Sequence, residues 1–431
     1  MEFFFQPLID LFWQTFKTWW WLFLPFIFFR PFIFLWKWWR IDGYDATHGF
    51  MVFEVIMPKV VVRPLKAMEA VFASLWQLYD PPNKREYWFE GQYQQNLSIE
   101  IVSTEGVVHF YLRFPEGNYQ LIEAAVYSQY PDAELREVED YTKKFPQDIP
   151  NKDWEFWGAS YKLYKPDVYP IKTYSKFFEL SPDIKEEKRL NPMSLFVEAA
   201  SKIGKGEHIW IQFVCEPITI VQDDYIARGK QVVDELISRP EKEKPPSAVS
   251  DIHKVGHMLA TGQEVGIQEE EQREFIPPEF KLTPGEREVV SSIEEKISKS
   301  MFRVHSRFLY IAKREIYFSP TKALPLTFYS QFQTSNLNAF TPLFTTKVHT
   351  ILFWFLDSRR RFLKKRRMFR NYTLRFPPYF PRNPGVGEMF ILNIEELATI
   401  FHFPGRITAP ATTAPRLAAK KGEAPLELPT Q

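Results

Sequence analysis

The chain has 431 residues, 45% hydrophobic and 25% charged, with 54 Lys and Arg against 53 Asp and Glu. That length allows two or three domains, and a net charge of +1 excludes a uniformly basic nucleic-acid binder, so any basic surface must be local. The single cysteine, Cys215, excludes an internal disulfide framework and a multi-cysteine metal centre, and it fits a reducing compartment.

The first predicted element is a membrane anchor at residues 1–40. Twelve aromatic residues fall within the 21 positions from Trp19 to Trp39, and Arg30 is the sole ionisable side chain between Thr18 and Trp36. Nineteen helical residues rise about 28 Å, close to a hydrocarbon core of about 30 Å. Trp19, Trp20 and Trp21 bracket the run at one end, and Trp36, Trp38 and Trp39 at the other. Indole rings favour the headgroup level, where the ring is buried and the N–H stays wet. Pro25 and Pro31 each remove a helix hydrogen bond, and Arg30 is costly at the bilayer centre unless it snorkels or pairs. A helix lying in the interface therefore stays open beside a spanning one. The acidic, aromatic leader (Glu2, Asp10) lacks a small-residue cleavage site, which argues against a signal peptide. Lys37 and Arg40 follow the apolar run while only Lys17 precedes it, a bias that puts the C-terminal body in the cytoplasm.

Residues 50–145 alternate cleanly. A strand at Phe50–Pro58 is followed by a helix at Pro64–Leu78, with Leu65, Met68, Val71, Phe72, Leu75 and Trp76 at helical spacing. Strands at Leu97–Val102 and Val107–Phe114 flank the turn Ser103-Thr104-Glu105-Gly106. A second helix, Tyr119–Tyr130, ends at Pro131, and Glu134–Glu139 is a short last strand. The order β-α-β-β-α-β predicts an α+β class and a ferredoxin-like split βαβ domain with an antiparallel sheet. A second αβ domain is expected over 150–340. It holds helices at 192–202, 224–238, 284–298 and within 318–332, and strands at 208–214 and 302–312. A repeat of the ferredoxin-like unit is compatible with that pattern. Residues 239–283, rich in Glu, Lys, Pro, Gln and Gly, read as a mobile insertion. Within 344–404, residues 348–372 read as one long helix ahead of a helical C-terminal segment, and 405–431 as a disordered tail.

Motifs for chemistry are scarce. No Gly-x-x-x-x-Gly-Lys-[Ser/Thr] loop is present, since Gly204-Lys205-Gly206-Glu207 lacks the length and the hydroxyl, and no Gly-x-Ser-x-Gly elbow occurs. His253 and His257 stand four apart, but Lys254 occupies the position where a zinc protease needs Glu, so they read as solvated histidines. Cys215 reads as a buried strand-end thiol, and Asp223-Asp224 and Glu395-Glu396 as helix-start charges. No catalytic, cofactor or metal residues are assigned, and an enzyme is not expected.

The distinctive surface feature is a basic run: Arg359, Arg360, Arg361, Lys364, Lys365, Arg366, Arg367 and Arg370, interleaved with Phe362, Leu363, Met368 and Phe369. Three readings stay open: contact with anionic lipid, contact with the phosphates of DNA or RNA, or a solvated face beside a core-facing stripe.

Several phrases resemble a known family. They are Ser98-Ile99-Glu100-Ile101, the run from Gly106 to Pro115, the run from Tyr127 to Leu135, and Gly206-Glu207-His208-Ile209-Trp210-Ile211-Gln212. With Leu392–Pro404 and Lys420–Pro429, they are similar to the amino-terminal, non-motor half of conjugation-type ATPases. These are the VirB4/TraC-like and HerA-like motors of type IV secretion, in the form found in candidate-phyla bacteria. The likeness covers about residues 50–430. In those motors a Walker A domain comes next, and no such domain follows in this sequence. The resemblance therefore implies a membrane-anchored scaffold without the engine, docking a separately encoded P-loop ATPase, with self-association left open. The strip Asn393–Pro404, with Glu395, Glu396, Leu397, Ile400 and Phe401, is the expected docking surface, and a helix packed on its own domain stays open beside it.

Overall fold

A computed structural model describes residues 13–58, 63–177, 192–237, 282–343, 354–375 and 389–403. The predicted insertion up to residue 281, residues 348–353 of the predicted long helix, and the predicted tail lie outside the described residues. The helical leader begins at Trp13, tightens into a 3-10 turn at Trp20–Phe23, and continues as α1, Leu24–Thr47. Pro25 falls where the 3-10 turn passes into α1, and α1 runs on through Pro31. Then come β1 (Phe50–Ile56), α2 (Leu65–Leu75), β2 (Leu97–Thr104), β3 (Val107–Pro115), α3 (Tyr119–Gln129) and β4 (Glu134–Glu137), in the predicted order. The second half holds β5 (Trp154–Leu163), α4 (Pro192–Ala200), β6 (Glu207–Ile218), α5 (Tyr225–Ile237), α6 (Pro284–Ile297), β7 (Met301–Lys313), α7 (Ala323–Ser330) and β8 (Phe340–Leu343). Last come α8 (Asp357–Thr373), β9 (Phe390–Asn393) and α9 (Ile394–Ile400).

The fold is α+β, and the strands of the described residues form one nine-stranded sheet, order β4-β1-β3-β2-β6-β7-β5-β8, with β9 on β7. Every pairing is antiparallel. The two halves repeat one strand order outward from a shared joint: β2-β3-β1-β4 on one side and β6-β7-β5-β8 on the other. The joint pairs β2 with β6 from Leu97↔Cys215 to Thr104↔His208. The segments expected as two αβ domains, 50–145 and 150–340, thus share one continuous sheet. Left alone, β2 would present an open edge of unpaired backbone groups, and β6 covers it. The β2–β3 hairpin turns on Glu105 (φ 53°) and Gly106 (φ 87°), a pair of left-handed residues that matches strand twist.

Side chains alternate between two covered faces. On one, Ile99, Ile101, Phe110, Leu112, Ile211, Phe213 and Phe308 pack against residues of α2, α3, α4, α7 and α9. On the other, Val102, Trp210, Leu309 and Ile311 pack against Tyr141, Ile149 and the α8 residues Met368, Phe369 and Tyr372. Three strands escaped the sequence reading: β5, β8 and β9. β5 carries Gly158 at its centre, a residue that weakens a strand signal. Its role is spatial. A Cβ there would stand 2.6 Å from Leu309 Cδ2, 2.7 Å from the Phe308 carbonyl oxygen and 3.0 Å from Met368 Cε. Gly158→Ala is therefore expected to destabilise the chain by about 1–3 kcal/mol through overpacking, measured by urea unfolding of the detergent-solubilised protein.

Candidate functional site

The N-terminal helix splits into two physical halves. From Phe26 to Leu35 its large apolar side chains are exposed apart from the half-buried Ile33, Phe26 at 76%, and Trp19, Trp20, Trp21, Arg30, Trp38 and Trp39 are exposed too. The stretch Trp13–Thr47 is long and apolar enough to cross a membrane, and none of its apolar window is buried. From Trp36 onward the helix is seated on the body. Trp36 Nε1 donates to the Trp88 carbonyl at 2.9 Å, and Lys37 Nζ donates to the Tyr87 hydroxyl at 2.8 Å. The same ammonium lies 4.3 Å and 4.2 Å from the Tyr87 and Trp88 ring centroids. Ile41 is buried, and the Tyr93 hydroxyl donates to Asp45 at 2.8 Å. Gly91 (φ 77°) makes the close approach, since a Cβ there would stand 2.2 Å from the Arg40 carbonyl oxygen. Lys37, read from the sequence as an orienting charge, is thus also a structural cation held by aromatic rings.

The basic run occupies α8. Met368, Phe369 and Tyr372 face the sheet and are buried, while Arg359, Arg361, Lys364, Arg366, Arg367 and Arg370 are exposed, with Phe362 and Leu363 among them. Helical spacing sets Arg359, Leu363, Arg366, Arg367 and Arg370 on the side opposite that buried face. Two cations differ. Lys365 Nζ pairs with Glu155 at 2.6 Å, and Arg360 is half-buried. The sequence interleaving of Arg with Phe and Leu therefore resolves into a packed stripe, one structural ion pair and an outward cationic face.

A buried polar cluster fixes α8 to the sheet joint. Glu100 of β2 and Gln212 of β6 are register partners, and Gln212 Nε2 donates to Glu100 Oε1 at 2.9 Å. Glu100 also accepts from Ser98 Oγ at 2.6 Å, Tyr141 OH at 2.6 Å, Arg375 Nε at 3.0 Å and Arg375 Nη2 at 3.2 Å. Arg375 bonds Asp140 as well, and Tyr141 meets the Tyr372 hydroxyl at 2.8 Å. Arg307 Nε completes the set by donating to Gln212 Oε1 at 2.8 Å. Burial alone would raise the Glu100 carboxyl, but the Arg375 charge and these donors hold it below its ordinary value. Asp140 is lowered in the same way. Two carboxylates and two guanidiniums thus balance in a closed network that keeps Arg375 in a left-handed conformation, φ 54°. Sequence reading missed this cluster. Its signal was a polar residue at the centre of each of two apolar strands, Glu100 and Gln212. Arg375→Met strands a buried carboxylate and is expected to cost about 3–5 kcal/mol in urea unfolding. Adding Glu100→Gln to that variant is expected to restore part of the loss.

The predicted docking strip is corrected by burial. Glu395, Glu396, Leu397, Ile400 and Phe401 all belong to the core. Glu396 pairs with Lys296 at 2.9 Å and accepts from the Ile171 amide at 2.8 Å, and with Asn393 it forms a capping box. Glu395 pairs with Lys299 at 2.5 Å, and the Phe72 and Phe401 rings lie 6.5 Å apart. The reason is β9. By pairing with β7 at residues 301–304, beyond the stretch that β5 covers, it draws α9 in against α2. Pro404 lies outside the described residues.

Other sequence candidates prove structural. Cys215 is fully buried in β6, and burial pushes its thiol up. Asp224 Oδ1 accepts from the Ala227 amide at the start of α5, and Asp223 pairs with Arg228 at 2.7 Å. His253 and His257 lie outside the described residues. Among the described residues no group of three or more His, Cys, Asp or Glu could hold a metal ion. Burial lowers the imidazoles of His208 and His402 to about 4, against the two carbonyls of Ala398 and Thr399 at His402 Nδ1. Both rings are neutral when folded between pH 4 and 6.5, where their unfolded counterparts bind protons. Their contribution is complete above the unfolded value of about 6.5 and is lost as pH falls toward 4. The urea midpoint is therefore expected to drop across that window, and less steeply in His402→Gln.

No protein-family model matches the chain, and no curated protein is significantly similar to it.

Proposed function

We propose that this chain is a membrane-tethered scaffold of a type IV secretion or conjugation-like machine. In this reading α1 crosses the cytoplasmic membrane once, with the αβ body in the cytoplasm. The observation that carries it is the row of exposed large apolar side chains from Phe26 to Leu35, with only Ile33 among them half-buried. An apolar surface of that extent is stable against lipid and costly in water. Helical rise separates the two tryptophan girdles by about 25 Å, which suits a spanning helix better than one lying flat. We further infer that each half of the sheet is a ferredoxin-like unit. Support comes from the β-α-β-β-α-β element order of the first half and from the strand order that both halves share.

The resemblance supplies the class of partner, a P-loop ATPase of VirB4/HerA type encoded separately. Tethering would raise that motor's effective concentration at the membrane without any chemistry by the scaffold itself. With the described part of the 393–404 strip, 393–403, committed to the core, the outward cationic face of α8 is the surface we assign to contact. It also sustains a second reading, a membrane-tethered nucleic-acid binder, because its exposed guanidiniums suit phosphates of DNA as they do anionic lipid.

The full chain is expected to resist alkaline carbonate extraction from bacterial membranes and to yield to detergent. Extraction by carbonate alone would sink the tether. A co-expressed conjugation-type P-loop ATPase is expected to co-purify, and loss of capture in an Arg359/Arg366/Arg367/Arg370→Gln variant would map contact to α8. DNA affinity that falls steeply with salt, and collapses in that variant, would favour the second reading.

A further inference from the structure

We infer that the turn Glu86–Glu90 is a second membrane contact: a rigid foot whose Phe89 enters the headgroup zone beside the anchor and fixes the tilt of the body. This rests on the reading of α1 as a membrane anchor. The argument begins with depth. Trp36 belongs to the tryptophan girdle at the body end of the apolar run, and its indole N–H is bonded to the carbonyl of Trp88 at 2.9 Å. Residues 88 and 89 therefore sit at the girdle's level. The chain then descends alongside the helix, with Gly91 against Arg40 and Tyr93 bonded to Asp45. Nine helical residues from Trp36 to Asp45 place Tyr93 about 14 Å farther from the bilayer.

The turn is built to hold a shape rather than to yield. Asn83 Oδ1 accepts from the amides of Arg85 and Glu86, while the Glu86 carboxylate accepts from the amide and side chain of Asn83. A π-helical turn follows and stops at Gly91 in the left-handed region. On this frame Tyr87 and Trp88 are spent on Lys37, and Phe89 is left 63% exposed, with no ring contact among the described residues. The charges around it suit headgroups: Lys84, Arg85, Lys37 and Arg40 against Glu86, which is engaged by Asn83, and Glu90, which pairs with Arg85 at 3.7 Å. An aromatic ring beside cations at the girdle level is the composition of an interfacial contact.

The test uses site-specific spin labels on the full chain in vesicles of phosphatidylcholine with phosphatidylglycerol. The native cysteine is buried, so single labels are practical. Labels at Phe28→Cys, Phe89→Cys and Lys205→Cys report on the anchor, the foot and the far, hairpin end of β2 and β6, about 26 Å along the sheet. Collision rates with oxygen and with a water-soluble nickel complex give depth. A position-89 label with an oxygen-to-nickel ratio severalfold above that of position 205, and below that of position 28, is the expected result. If position 28 reads as lipid while position 89 matches position 205, the foot is wrong and the anchor stands. If position 28 itself reads as aqueous, the anchor reading fails and takes the foot with it.

Discussion

The pairing of β2 with β6 is the interaction on which the remainder of the structure depends. It joins two four-stranded halves that each would otherwise end in an open edge, and it places Glu100 directly opposite Gln212. Polar side chains at the centre of a sheet buried on both faces are costly unless every bonding capacity is met. Meeting it here requires Arg375, Tyr141 and Arg307, from three other parts of the chain. The joint thus recruits the segment after β4, the middle of β7 and the end of α8. Such a network is weak evidence for stability as such, because matched apolar residues could substitute for it. What it defines is position: α8 lies over the joint in one register, with its cations outward.

The same division between committed and uncommitted surface runs through the anchor. Its first half is largely exposed, and its second half is locked to residues 86–93 by an indole hydrogen bond, a caged ammonium and a glycine contact. A helix fastened in this way transmits orientation as well as location. In the proposed tether such seating would restrict which face of the body meets the lipid, where a slack linker would not.

Legibility in the sequence followed local periodicity. The elements of the first half were readable because each has its own pattern: helical spacing in α2 and α3, and the Glu105-Gly106 turn between β2 and β3. β5 was not, because Gly158 interrupts its apolar run and its need for glycine arises only from Leu309, Phe308 and Met368 across the fold. The α9 strip shows the opposite failure. Its capping box and apolar face were visible, but its partners, Lys296, Lys299 and Ile171, lie about 100 or more residues away, so a buried helix and an exposed docking helix looked alike.

By itself the sequence determined the apolar, tryptophan-bracketed helix and most of the strand and helix segments, since hydrophobic period and aromatic clustering are properties of neighbouring residues. It also located the basic helix. Only the tertiary structure decided that two αβ halves make one sheet, that Glu395 and Glu396 are core residues, and that Arg375 neutralises Glu100. Those outcomes depend on strand pairing and charge compensation between segments distant in the chain, which no local pattern encodes.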